Sequence, residues 1–529
     1  MTKTCKNCEA EFEIRDVDFI FYEKLKVPSP TLCPDCRLQR RLMMRNEKNL
    51  YKRSCDFCKK SIISFFDSGV SFPVYCTECW WSDKWNPESH GINFDCDRPF
   101  FEQFRELMKK VPKASLLHLN NENSDYNSFL AFSKNTYMSP GSYIVEGCIY
   151  VRKSQNCKDC VNSNMINKCE LLSNSANCDS CYGSDFLLNC RNCSFSSYLS
   201  DCSNMQNSFM CCGTRNKEFC FKNKECGKVE FEKIIAEYKT KDPESIFAEF
   251  MEFSSNLPKR AAVQFNCENS VGDYLYNSKN ALNCFDCFNI EDSKYLYECA
   301  AVKDSMDLNM HDKEIELCYE MSCGGEKNYM SKFSYCTCAS PFSEYLYSCF
   351  YLSKGFGCDG FHSKNEYFIL NKKYSKDEYE SMKEKIIEHM KKTGEYGEFF
   401  PAELSPFAYN ESVAQDYFPL TKDEAARKNY LWKEIQTVRA PDELSILNCV
   451  ECGKQYRIIK QEQALYDKMS IKTPKRCQDC RYKQLLRWKN PRHLWKRACA
   501  DCGAPIESSY SPERPEKVYC EKCYLASIY

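Results

Sequence analysis

Small and hydrophobic residues in the middle of the chain recur at a fixed spacing that is not helical. Two sets keep an interval of 21 residues: Cys148, Cys169, Cys190 and Cys211, and further on Leu275, Leu296 and Leu317. Between them, short β-prone runs alternate with turn-forming Asn, Asp, Ser and Gly. A repeat of this length and pattern is typical of a parallel β-solenoid with one coil per repeat. We therefore predict coils of about 21 residues, with equivalent side chains stacked about 4.8 Å apart.

A longer duplication divides this region into two solenoids. The pair Pro112-Lys113, followed by Glu122-Asn123-Ser124, recurs 146 residues later as Pro258-Lys259 followed by Glu268-Asn269-Ser270. The duplication predicts one right-handed solenoid over residues 112–226 and a second over residues 258–373. Helical spacing of apolar residues predicts a linker with a capping helix at 86–111 and a helical insertion at 227–257. Residues 374–445 predict a helix and an aromatic, proline-containing arm that packs on a solenoid, because flexible linkers are poor in aromatics.

Cysteines cluster at both ends of the chain in Cys-x-x-Cys pairs. The first set is Cys5/Cys8, Cys33/Cys36, Cys55/Cys58 and Cys76/Cys79, and the second is Cys449/Cys452, Cys477/Cys480, Cys499/Cys502 and Cys520/Cys523. Each cysteine of the second set lies 444 residues after its counterpart in the first. One module, residues 1–85, is therefore duplicated as residues 446–529 without a net insertion or deletion between the cysteines.

The cysteine spacing suits tetrahedral zinc. A Cys-x-x-Cys turn brings two thiolates to one metal ion, and a second pair completes the coordination. The segment from Glu11 to Phe21 is suited to a hairpin, and Pro34 to the first turn of a helix. A Cys-x-x-Cys turn (the knuckle), a hairpin and a helix that carries the second pair together predict a treble-clef site. We expect about four Zn²⁺ per chain, in sites that fold the modules, because four thiolates leave no open position for catalysis.

A further 24 cysteines lie outside the two modules. Stacked coils would bring Cys157/Cys160 close to Cys178/Cys181, which allows a fifth metal site. Alternatively, the small thiol side chain fills a narrow solenoid core as an inward-pointing ladder. The second solenoid carries Tyr, Leu and Ser in many equivalent columns, which favours packing over metal ligation.

Basic residues are concentrated in the two terminal modules. The net charge is −1, but residues 1–85 sum to +3 and residues 446–529 to +8, which leaves −12 for the middle. The candidate nucleic-acid contacts are Arg37, Arg40, Arg41 and Arg45 in the first module, and Arg481, Arg487, Arg492 and Arg497 in the second. Such basic stripes bind phosphate backbones. Alternatively, the cations balance the thiolates, since a four-thiolate zinc site has a formal charge near −2.

The sequence carries no motif of a known enzyme class. The match of Gly355–Gly360 to G-x-G-x-x-G lacks the flanking strand and helix of a dinucleotide site, and no P-loop, nucleophile elbow or H-E-x-x-H motif occurs. We therefore predict a non-enzyme with no catalytic or cofactor-binding residues besides the metal ligands. The N-terminus has no apolar signal region and no apolar run is long enough to span a membrane. These features predict a cytoplasmic protein with reduced cysteines.

Several segments resemble a known family. CPDCRLQRRL, VYCTECWWSDKW, DCDRPFFEQF and GEFFPAELSPFAYNES are similar to sequences of an uncharacterised zinc-ribbon, treble-clef protein family that is widespread in candidate-phyla-radiation bacteria. The resemblance covers nearly the whole chain, and both termini resemble the "probable zinc-ribbon" domain. It implies zinc binding at the terminal cysteines and implies no particular activity.

These observations predict a mostly β protein in which a duplicated solenoid is flanked by paired α+β zinc modules. The leading hypothesis is a non-catalytic scaffold that presents the modules to a macromolecular partner, with RNA or DNA favoured. A scaffold for protein–protein interaction without nucleic-acid contact is the first alternative. An enzyme that uses an unrecognised cysteine or metal site is the second. We expect neither membrane association nor a small-molecule substrate.

Overall fold

The computed structural model describes residues 1–435 and 443–528. Parallel β-solenoids occupy the middle of the chain, and small α+β modules with four-cysteine clusters lie at both ends, which confirms the predicted fold class. The chain divides into two compact units, Met1–Leu116 with Gln264–Thr437, and Leu117–Val263 with Val438–Tyr529. Each unit combines one terminal module with the solenoid that is distant from it in sequence. Residues 436–442 of the predicted arm lie outside the described residues.

The coils of the solenoids are shorter than the sequence spacing suggested. In the parallel ladder Tyr143 is the partner of Gln155, and Leu187 is the partner of Leu199. One coil of the first solenoid therefore takes twelve residues, the same separation at which the backbone N–H of Ile166 donates to the Ser154 hydroxyl. The predicted coil length of 21 is wrong.

A three-residue repeat is the physical reason for this difference. Residues such as Asn156, Asp159 and Asn162 take a positive φ at every third position of the coil. Twelve and twenty-one are both multiples of three. Residues that are 21 apart in the sequence therefore both occupy inward positions, but they lie on different sides of the coil.

The three-residue repeat also explains the frequent Asn-Cys and Asp-Cys dipeptides. Asn and Asp tolerate the left-handed conformation better than other residues with a side chain. Asn156 and Asp159 take it, and the residues that follow them, Cys157 and Cys160, are buried in the core. The next buried positions at this interval are Ser163, Ile166, Cys169, Leu172, Ser175, Cys178 and Cys181. One inward side chain per three-residue step therefore builds the core.

In the unit that contains Leu117–Val263, a parallel ladder forms the first solenoid. Its strands are His118–Leu119, Leu130–Ala131, Tyr143–Glu146, Gln155–Lys158, Glu170–Ser173, Tyr182–Leu188, Ser197–Ser200, Phe209–Cys212 and Cys220–Phe221. Lys224–Glu225 pairs antiparallel with Cys220–Phe221 and ends the ladder. The helices Lys228–Tyr238 and Pro243–Ser255 follow, and pack Tyr238 and Phe250 against the aromatic side of the solenoid.

The carboxy-terminal module in the same unit contains two antiparallel hairpins. They consist of Glu443–Asn448 with Gln455–Ile459, and Trp495–Ala498 with Pro505–Ser508. Its helices are Lys460–Met469, Gln478–Trp488 and Glu521–Ile528. The strand Val518–Tyr519 pairs in parallel with Lys259–Arg260, which joins the module to the chain that follows the helical insertion.

The amino-terminal module in the other unit has the same order of elements. Its hairpins are Thr2–Thr4 with Glu11–Glu13 and Tyr51–Ser54 with Ser61–Ser64, and Val74–Tyr75 pairs in parallel with Lys113–Ala114. Its helices are Asp16–Leu25, Pro34–Met43 and Thr77–Trp80. The predicted hairpin over Glu11–Phe21 is wrong, because the hairpin closes around the first Cys-x-x-Cys turn and a helix begins at Asp16.

The second solenoid completes this unit. Its strands are Gln264–Phe265, Val271–Tyr276, Leu282–Glu291, Lys294–Lys303, Met306–Glu316, Tyr319–Gly324, Tyr335–Cys338, Tyr347–Phe350, Leu352–Phe356, Asn365–Ile369 and Lys372–Lys373. The step between coils is one residue shorter where Gln264 pairs with Leu275, and one residue longer where Val302 pairs with Ile315. The flanking helices are Phe100–Lys110, Lys376–Thr393, Ala414–Tyr417 and Lys422–Arg427, with 3-10 turns at Pro87–His90, Ala402–Leu404 and Tyr409–Glu411.

Candidate metal centres

Four sets of cysteine sulfurs converge, two in each terminal module. The sets are Cys5, Cys8, Cys33 and Cys36; Cys55, Cys58, Cys76 and Cys79; Cys449, Cys452, Cys477 and Cys480; and Cys499, Cys502, Cys520 and Cys523. Within each set all sulfurs lie within 4.8 Å of one another. The Cys8–Cys33 and Cys452–Cys477 sulfurs are 3.7 and 3.8 Å apart. A tetrahedral ion with metal–sulfur bonds of about 2.3 Å requires about 3.8 Å between its ligands, so each set fits a four-coordinate metal ion.

The backbone of each Cys-x-x-Cys turn is shaped to receive the metal. The Cys55 sulfur accepts hydrogen bonds from the backbone N–H of Cys58 at 3.5 Å and of Cys76 at 3.2 Å. The residue after each knuckle has a left-handed φ: 62° at Glu9, 63° at Lys59, 69° at Gly453 and 73° at Gly503. Glycine takes this conformation without strain, whereas a side chain makes it costly. The second copy of the module has glycine at both positions, and the first copy has glycine at neither.

The first cysteine of three clusters is poised to ionise. Burial opposes ionisation of Cys5, but backbone hydrogen bonds to its sulfur outweigh it and lower the pKa of the thiol to about 6. The same balance lowers the pKa of Cys449 and of Cys499 to about 6. Thiolate is the form that binds a metal ion. Backbone hydrogen bonds to these three sulfurs therefore favour the ligating state of these three cysteines.

The arginines of the first module lie in the interior of their unit, which corrects the prediction of an exposed stripe. Arg37 forms an ion pair of 2.9 Å with Asp307 of the second solenoid, and Arg41 pairs with the same carboxylate at 3.3 Å. Arg45 pairs with Glu298 at 3.5 Å. These three arginine side chains are at most 2% exposed. They anchor the metal-binding helix to the solenoid and present no surface to a phosphate backbone.

Arg40 is also committed to partners within its unit. Its guanidinium contacts Glu320 at 3.3 Å and Glu398 at 3.2 Å, and its side chain is 14% exposed. Burial raises the pKa of Glu320, and the neighbouring arginines oppose that rise. These arginines therefore balance carboxylates of the solenoid and the arm, and the alternative interpretation, in which the cations balance the thiolates of the zinc sites, stays a prediction.

In the second module the four arginines have different surroundings. Arg481 is buried, pairs with Glu462 at 3.1 Å and donates to the Tyr466 hydroxyl at 2.7 Å. Arg497 donates to the carbonyl oxygens of Ser511 and Glu516 and is partly exposed. Arg492 is partly exposed, and the Arg487 side chain is 71% exposed although it lies 3.2 Å from Glu451. The stripe predicted from the sequence is thus divided between the interior and the surface.

The solenoid cysteines point into the core. The Cys157 sulfur donates to the carbonyls of Gln155 at 3.0 Å and Ile166 at 3.4 Å. Cys160 donates in the same way to Lys158 at 3.3 Å and Cys169 at 3.5 Å. Among the residues that the structure describes, the four terminal clusters are the groups close enough to hold a metal ion. These contacts favour the ladder over a fifth site.

The acidic partners of the first module are not apparent from the sequence. Asp307, Glu320 and Glu298 lie within solenoid strands and are distant in sequence from the arginines that they contact. In the sequence, the indication of these partners is the excess of acidic charge in the middle of the chain. That excess could not show which carboxylates point towards the module.

Comparison with known proteins adds little. No protein-family model matches the chain, and no curated protein is similar to it. A solved structure, provisionally assigned as an acetyltransferase from Desulfovibrio desulfuricans G20, has 12% identity and a TM-score of 0.12 over 45% of this chain and 64% of its own. The chain therefore spans less than two thirds of that protein, and so low a score supports no argument. The resemblance to the zinc-ribbon family stays a prediction.

The described residues contain no helix that combines the length and the apolar character needed to cross a membrane.

Proposed function

We propose that the protein is a zinc-dependent, non-catalytic scaffold. The observation that carries the proposal is the convergence of four all-cysteine clusters, each with the ligand number of a closed structural site. Four thiolates in tetrahedral geometry favour Zn²⁺ and leave no coordination position for a substrate. The buried ion pairs of Arg37 and Arg41 with Asp307 fix the first module on its solenoid. Reduced thiols of this kind fit a cytoplasmic location.

We further propose that single-stranded nucleic acid is the partner, and that the carboxy-terminal module contacts it. In the alignment of the two modules, the buried Gln39 and Met43 of the first correspond to the exposed Lys483 and Arg487 of the second. Lys483 and Arg487 are one helical turn apart on the helix Gln478–Trp488 and so lie on one face. Cations on an exposed helix face attract phosphates by a salt-dependent interaction.

Fluorescence anisotropy with a labelled mixed-sequence single-stranded RNA of about 20 nucleotides tests this part of the proposal. We expect log Kobs to fall with log[salt], and the double change Lys483→Gln, Arg487→Gln to reduce that slope by about one to two. The matched control is Lys6→Gln with Lys60→Gln, two exposed lysines of the first module.

The two double variants have the same net charge, so a general loss of attraction would affect both equally. Absence of binding at low salt, or an equal loss in both variants, would exclude the helix as a nucleic-acid surface. A partner protein captured equally by both variants would favour the protein–protein alternative.

A further inference from the structure

A cavity of about 530 Å³ lies in the unit that contains the first solenoid and the carboxy-terminal module. Three parts of this unit line it: the side of the solenoid, the helical insertion, and the loop and helix around Arg481. Its volume falls within the range of about 300–1,000 Å³ that is typical of small-molecule sites. We propose that this cavity binds one nucleobase of a single strand, with the attached phosphate at a basic rim. The inference rests on the nucleic-acid part of the proposed function.

The wall of the cavity is aromatic. Phe186 and Tyr198 stack with ring centroids 4.7 Å apart and an interplanar angle of 11°, and Phe209 meets Tyr198 edge-on at 5.6 Å. Tyr238 of the helical insertion adds a further ring 4.9 Å from Phe209. Flat aromatic surfaces of this kind stack with nucleobases at about 1–3 kcal/mol per base. The wall therefore supplies the apolar part of base recognition.

Polar groups line the cavity beside this wall. Asp185 precedes Phe186 in the chain, and its carboxylate accepts a hydrogen bond from the Asn174 amide at 3.0 Å. Burial raises the pKa of Asp185 to about 6, while hydrogen bonds from Ser173 and Asn174 oppose the rise, so the group is largely a carboxylate at neutral pH. The Asn162 amide lines the same cavity. A carboxylate and amides side by side match the alternating donors and acceptors on the edge of a base.

Arg481 adds a buried donor to the lining of the cavity. Its side chain is 5% exposed and lines the cavity, and its Nε has no hydrogen-bond partner among the described residues. A buried N–H donor without a partner costs about 1–3 kcal/mol. An acceptor atom of a bound base would remove that cost.

The rim of the cavity is basic, and neighbouring carboxylates neutralise part of its positive charge. Lys475 pairs with Asp242 at 2.5 Å, and Arg476 pairs with Glu451 at 2.9 Å and also with Glu244. Lys472 donates to a backbone carbonyl at 3.1 Å, and Lys239 is exposed. These two lysines, for which the described residues provide no carboxylate partner, are the candidates for contact with the phosphate. Single-strand recognition by stacked aromatics in a basic groove has this composition.

Isothermal titration of the metal-loaded full chain with AMP, CMP, GMP and UMP, and with the matching nucleosides, tests the proposal. We expect at least one base to bind with a Kd below about 1 mM, and both Phe186→Ala and Asp185→Asn to weaken that binding tenfold or more. Lys239→Gln is expected to weaken the monophosphate and leave the nucleoside unchanged. The control is Phe195→Ala, an exposed aromatic residue that contacts Tyr182 on the same solenoid.

The metal content of each variant shows that its modules are folded. Failure of all four monophosphates to bind, or binding that Phe186→Ala and Asp185→Asn leave unchanged, would overturn the base site. RNA binding with undiminished affinity in those two variants would overturn the base site and leave the proposed function standing. Loss of RNA binding in the Lys483/Arg487 double variant, together with retained monophosphate binding, supports both proposals.

Discussion

Arg37 and Asp307 form an ion pair of 2.9 Å although they are far apart in the chain, and both side chains are at most 2% exposed. Arg37 directly follows Cys36, a ligand of the first candidate metal site. Cys36, a candidate metal ligand, is therefore next to Arg37, which anchors the module to its solenoid. A candidate metal ligand and a docking contact thus lie side by side on one helix.

Breaking this pair should loosen the first module. Arg37→Gln leaves Asp307 buried beside Arg41 with its charge only partly compensated, and removal of one partner of a buried pair costs about 3–5 kcal/mol. Hydrogen exchange of the helix Pro34–Met43 should accelerate accordingly. Arg487→Gln, which removes a largely exposed guanidinium, should change stability by less than about 1 kcal/mol. Equal exchange rates in the two variants would show that the pair does not hold the helix.

The residues with a left-handed φ after the Cys-x-x-Cys turns predict a substitution that increases stability. Lys59→Gly should raise the free energy of unfolding by about 1 kcal/mol, because glycine removes the steric cost of a φ of 63°. Gly503→Ala at the equivalent position of the second module should lower it by a similar amount. Thermal denaturation of the zinc-loaded protein measures both. The control Lys60→Gly, at a residue without a positive φ, should destabilise.

His311 predicts how stability depends on pH. Burial, together with smaller contributions from Arg41 and Arg45 and against an opposing backbone contact with Met321, lowers its pKa from 6.5 to about 3. Between these two values the unfolded chain binds the proton and the folded chain does not, so stability falls as the pH drops below 6.5. From pH 6.5 to pH 5 this group alone should remove about 2 kcal/mol.

The comparison of wild type with His311→Gln isolates this effect from metal release, which acid causes in both proteins. Chemical denaturation at pH 7.5 and pH 5 should show a smaller loss of stability in the variant. An identical loss in the two proteins would mean that folding does not change the pKa of His311, which would contradict the prediction.

Sequence reasoning succeeded where the information is local. The sixteen ligands and the number of two sites per module could be predicted because each Cys-x-x-Cys pair is a local pattern and two pairs complete one tetrahedral site. The coil length could not be predicted correctly from the sequence. Inward positions recur every three residues, and the cysteines recur at 21 residues, which is a multiple of three but not the length of a coil. The placement of Arg37 was missed because its partner Asp307 is brought near only by the fold. The cavity beside Asp185 was missed for the same reason, as three distant segments line it.

Metal stoichiometry tests the central claim most directly. Elemental analysis and native mass spectrometry of protein purified without chelator should give four zinc ions per chain. Cys8→Ser and Cys452→Ser should each lower the count by about one, and Cys157→Ser in the solenoid should leave it at four. A count that Cys8→Ser and Cys452→Ser do not change, or one above four that falls in Cys157→Ser, would contradict four terminal sites with a metal-free cysteine ladder.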